Sequence, residues 1–66
     1  MSVPVAELSS VATALEELTR RVGTIAETAA AERDEETSNE LFAAERALRG
    51  AQRRLQKLIS PRSRRR

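Results

Sequence analysis

Residues 35–40, "EETSNE", decide the fold of this 66-residue chain. Read as helix interior, they make the chain one long rod. Read as a boundary, they make it double back. Thr37 and Glu40 match the S/T-x-x-E capping box, in which the hydroxyl takes an orphan N–H at N3 and the carboxylate returns to the N-cap N–H. Glu35 and Glu36 are unfavourable at the negative end of a preceding helix but suit the positive start of a following one. The stretch therefore reads as the start of a second helix.

On its N-terminal side, Leu8, Val11, Leu15, Leu18, Val22, Ile25 and Ala29 recur at alternating spacings of three and four, an unbroken a/d heptad. Continued in phase, the next a positions would be Glu36, Ala43, Gly50 and Lys57, which cannot form an apolar seam. A new heptad starts instead at Leu41, with Leu48 and Leu55 at a and Ala44, Ala51 and Leu58 at d. Pro4 suits the first helical position, where its missing N–H has no intrahelical partner, and Pro61 stops the second helix after Ile59.

The expectation is an all-α, antiparallel, coiled-coil-like two-helix hairpin. Residues 1–4 form a lead, helix 1 covers about 5–35, the turn about 36–37 and helix 2 about 38–59, and residues 60–66 are a flexible arginine-rich tail. Folding between Glu36 and Thr37 sets facing residue numbers to add to 73, so that every a faces a d. Leu18, Val22, Ile25, Leu41, Leu48, Leu55 and Leu58 are then the hairpin core, and Gly23 and Gly50 share a level.

A helix 1 reaching 35 would overhang helix 2. Val5, Leu8, Val11, Ala12 and Leu15, with Ile59 of helix 2, become the candidate interface with a partner. Positions beside the seam are small or apolar, as in a bundle helix with a widened buried face rather than a two-stranded coil. Below roughly 70–80 residues a single core seldom supplies more than about 3–5 kcal/mol unaided. The chain has no cysteine for disulfides and no histidine for metal ligation. Dimerisation into a four-helix bundle is the expected remedy.

Charge is divided unevenly. Residues 1–45 carry all ten acids and three bases, a balance of −7, whereas residues 46–66 carry nine bases and no acid, +9. Arg20, Arg21, Arg49, Arg53 and Arg54, with Arg62, Arg64, Arg65 and Arg66 of the tail, are candidate phosphate contacts. In the 73 register Lys57 faces Glu16 and Arg46 faces Glu27, while Arg20 faces Arg53 and Arg21 lies near Arg54 as a same-sign patch.

No pattern for chemistry accompanies these charges. The acids of "ERDEE", residues 32–36, lack a histidine, a glycine-rich loop or a D-x-D-x-D-G run, and the serines have no base to activate them. The reading is a non-enzymatic chain without cofactor, metal or catalytic residue. Its leading function is a helical-hairpin interaction, assembly or regulatory module that forms a homodimer and docks on a larger protein through the overhang and the basic C-terminal region. The alternative is sequence-independent binding of DNA or RNA by the arginine-rich helix 2 and tail. Phe42 is the sole aromatic residue, which argues against base stacking and against anchoring on a membrane surface. The start "MSVPVAELSSV" has no basic segment before an apolar core, so a cytoplasmic location is expected. The preference for arginine and alanine suggests a bacterial or phage source.

Overall fold

The computed structural model describes residues 4–59, and they form two α-helices packed side by side, α1 (Val5–Ala31) and α2 (Glu35–Ile59). The expected all-helical hairpin is present. The lead residues 1–3 and the tail 60–66, including Arg62, Arg64, Arg65 and Arg66, lie outside the described residues. Neither helix is long and apolar enough to cross a membrane.

The turn differs from expectation. α1 ends four residues early and α2 starts three residues early, leaving a loop of Glu32, Arg33 and Asp34. Arg33 sits in the left-handed region at φ 63°. Its N–H donates to Ala30 O at 3.0 Å, and the Asp34 N–H donates to Ala29 O at 2.9 Å. These two bonds are a Schellman C-cap, which satisfies the last carbonyls of α1 and reverses the chain. Asp34 then caps α2: its Oδ1 accepts from the Thr37 N–H at 3.3 Å, and its carbonyl accepts from the Ser38 N–H at 3.0 Å. Thr37 is therefore at N3 rather than N-cap, and the Thr37–Glu40 capping box is not the one used. Glu35 and Glu36 occupy the first turn of α2, where the helix dipole favours them. Pro4 is the N-cap of α1 rather than its first residue, and its carbonyl accepts from the Leu8 N–H at 2.9 Å.

Moving the turn changes the register. A buried and half-buried stripe runs along α1 through Leu8, Ala12, Leu15, Thr19, Val22, Ala26 and Ala29, with Gly23 buried beside it, and along α2 through Ser38, Leu41, Glu45, Leu48, Gln52, Leu55 and Ile59, with Phe42, Gly50 and Ala51 half-buried beside it. Paired from the loop outward, Ala29 with Ser38, Ala26 with Leu41 and Val22 with Glu45, the stripes correspond to numbers adding to about 67 rather than 73, in keeping with Glu45 lying against Gly23 and with Thr19 and Arg49 lining one hollow. The seam thus uses heptad positions a and e of both helices, not a and d. Val22, Leu41, Leu48 and Leu55 belong to it, half-buried. Leu18, Ile25 and Leu58 do not: they are 49%, 56% and 47% exposed. Gly23 and Gly50 no longer share a level.

The reason lies in side-chain size. The buried residues are Ala12, Thr19, Gly23, Ala26 and Ala29 of α1 and Ser38 of α2, and no large side chain is fully enclosed. Small residues in a row let two backbones approach closely, and the larger d residues are left on the flank. The buried Thr19 hydroxyl donates to Leu15 O at 2.7 Å and the buried Ser38 hydroxyl to Glu35 O at 3.1 Å. Both polar groups are thereby satisfied without a partner across the seam.

Candidate interaction faces

The two broad faces of the hairpin differ in chemistry. On one, Glu16, Thr19 and Arg20 of α1 and Arg49 and Gln52 of α2 line a hollow of about 240 Å³ between the helices. These are b, e and f positions, so both helices turn their polar flanks to the same side. An Arg20–Glu17 pair at 3.0 Å and an Arg49–Glu45 pair lie along this side. Ion pairing among the described residues is within helices; the expected Lys57–Glu16 and Arg46–Glu27 pairs across the hairpin are not formed. Arg20 lies near Arg49 rather than opposite Arg53.

The opposite face carries the d positions. Because b and e of both helices share one side, d of both helices must share the other. Val11, Leu18 and Ile25 of α1 are 52%, 49% and 56% exposed, and Leu58 of α2 is 47% exposed. Ala44 and Ala51 complete the α2 row, exposed and half-buried respectively. Leu8, Leu15 and Val22 reach this face from the seam, half-buried. A two-helix layer with one apolar and one polar face results.

The expected partner interface is therefore divided. Ala12 is 5% exposed and belongs inside the hairpin. Leu8, Leu15 and Ile59 are half-buried in the seam, while Val5 and Val11 remain exposed. The overhang itself is small. With α2 ending at Ile59, level with Leu8, only the first turn of α1 projects.

Among the candidate phosphate contacts, Arg53 and Arg54 join Gly50 and Lys57 around a hollow of about 420 Å³ on the back of α2. No salt bridge engages Arg53, Arg54 or Lys57 among the described residues. Arg21 is exposed on α1, at the g position beside the apolar face. Among the described residues, the candidate arginines thus occupy three separate places rather than one mid-bundle patch.

Sequence reasoning placed Thr19, with Ala12 and Ala26, among the small positions flanking the seam, and passed over Ser38, Glu45 and Gln52; all of these lie in the seam. The available signal was the row Ala12, Thr19, Ala26, small residues repeating every seven positions beside the leucines. No protein-family profile, curated protein or solved structure matches the chain.

Proposed function

We propose that this chain is a non-enzymatic assembly module that dimerises through the d face of its hairpin into a four-helix bundle and, so assembled, docks on a larger protein. One observation carries the reading: Val11, Leu18, Ile25 and Leu58, each about half exposed, stand on a single face of a hairpin whose own buried residues are alanine, glycine, threonine and serine. Scattered apolar residues on a surface need no explanation, but a contiguous apolar face marks a contact. Burying each of these side chains contributes roughly 1.5–3 kcal/mol at most. The small internal core leaves the hairpin dependent on that contribution. The dimer surface is the apolar d face, in place of the overhang inferred from the heptads.

The test is sedimentation equilibrium at micromolar concentration on the native chain, on Leu18→Glu and on Ser10→Glu, an exposed residue at the back of α1. A dimer for the native chain and Ser10→Glu, with Leu18→Glu monomeric, is the expected result. A native chain that is fully helical and wholly monomeric would sink the proposal.

A second reading has its own support in the hollow bounded by Gly50, Arg53, Arg54 and Lys57. Three cations beside a residue with no side chain suit a phosphodiester oxygen, and such contacts read backbone charge rather than sequence. Fluorescence anisotropy of labelled duplex DNA and RNA at several salt concentrations tests it, with Arg53→Gln/Lys57→Gln as the variant. A salt-dependent affinity that the variant lowers supports phosphate binding. Equal affinity for native and variant chains removes this hollow as the site.

A further inference from the structure

We infer that the occupant of the apolar face is a second copy lying antiparallel, with the two loops at opposite ends and the two-fold axis level with Leu18 and Ala51. The inference rests on the dimerising reading above and adds the geometry of the pair.

The apolar rows set the position of the axis. Val11, Leu18 and Ile25 on α1 are spaced by seven, as are Ala44, Ala51 and Leu58 on α2. Near the 67 register, Leu18 stands beside Ala51, Ile25 beside Ala44, and Val11 beside Leu58. Both rows are therefore centred at one level, and an axis there overlaps the whole face with itself. Leu18 and Ala51 meet their own copies. The Val11–Leu58 layer of one hairpin meets the Ile25–Ala44 layer of the other. Every layer then holds large and small side chains together, as an interior at uniform density requires. The parallel alternative puts Val11 of each copy against Leu58 of the other in one layer and Ile25 against Ala44 in another. It makes one layer overfull and one thin.

Charge favours the same orientation. Around the loop, Glu32, Asp34, Glu35, Glu36 and Glu40 stand against Arg33 alone, a net −4 for residues 30–40. At the open end, Arg53, Arg54 and Lys57 stand against Glu7, a net +2, and the sequence continues with four more arginines. Antiparallel docking brings the acidic loop of each copy alongside the basic end of its partner. Parallel docking places loop against loop and base against base. Single unit charges about 10 Å apart interact by only ~0.4 kcal/mol in water before screening. Several on each side nevertheless separate two orientations that bury the same apolar rows. At the rim, the g positions offer no clash: Arg21 comes level with the partner's Ala14, and Arg54 with the partner's Ala47.

The experiment uses the absence of native cysteine. The full chain carrying Glu32→Cys at the exposed loop is labelled with a nitroxide, and spacings between copies are read by pulsed dipolar spectroscopy. The same sample is examined by sedimentation. From the axis at Leu18 to the loop is about 20 Å along a helix, so the antiparallel dimer places the two labels about 40 Å apart. A dimer with that spacing is the expected result. A dimer with labels within about 20 Å overturns the orientation while leaving dimerisation standing. A monomer without dipolar coupling overturns both, and a distance set requiring three or more copies overturns the two-fold pair.

Discussion

Glu45 of α2 lays its carboxylate over the backbone of Gly23 in α1: a methyl group placed on Gly23 would stand 2.8 Å from Glu45 Oε2. The Glu45 side chain is only 16% exposed, and Arg49, one turn on, donates to the same oxygen. Gly23 is thus buried because a charged side chain from the other helix occupies the space of its missing Cβ. The contact ties the two helices at one level.

Substitution tests that tie. Gly→Ala in a helix interior ordinarily stabilises by about 1 kcal/mol. At Gly23 the new methyl displaces the Glu45 carboxylate, so Gly23→Ala alone should gain little or lose stability. In a Glu45→Ala background it should recover most of that gain. Urea denaturation of the four chains, at one protein concentration, gives the coupling, expected at roughly 0.5–3 kcal/mol for residues in contact. A coupling near zero would mean that Glu45 does not rest on Gly23 in solution.

Gly50 supplies the contrast. A methyl group there meets nothing nearer than Arg53 Nη2 at 3.8 Å. Gly50→Ala should therefore stabilise by about 0.5–1 kcal/mol, seen as a rise in Tm of several degrees for a chain of this size.

Arg33 holds a left-handed conformation that costs a residue with a Cβ roughly 1–2 kcal/mol. Arg33→Gly relieves it while loosening the unfolded chain, so a net gain of about 0.5–1 kcal/mol is expected in thermal denaturation. A loss exceeding about 0.5 kcal/mol would contradict the Schellman geometry.

The two candidate caps separate cleanly. Asp34→Ala removes the side chain that accepts from Thr37 N–H and should cost about 1 kcal/mol. Thr37→Val keeps the donor and should change stability by less than about 0.5 kcal/mol. Reversed magnitudes would restore the loop at residues 36–37 and with it the 73 register.

Heptad spacing sufficed to read two amphipathic helices, their break between residues 30 and 40, and the antiparallel hairpin. Periodicity records which residues share a stripe, and that property is local. Asp34 was also legible in hindsight, as a cap residue followed by two glutamates. The C-cap was not, because Arg33 stands where glycine would signal a left-handed turn.

The sequence by itself determined two helices, an apolar stripe wider than one helix–helix contact needs, and a division of charge between loop and open end. Only the tertiary structure decided which half of that stripe the hairpin consumes. Two packings competed, large residues meeting at a and d or small ones meeting at a and e. Which prevails depends on how closely the backbones approach once a three-residue loop fixes the register. Burial of the small residues Ala12, Thr19, Ala26, Ala29 and Ser38, with Glu45 laid over Gly23, closed the hairpin. It left Val11, Leu18, Ile25 and Leu58 facing outward.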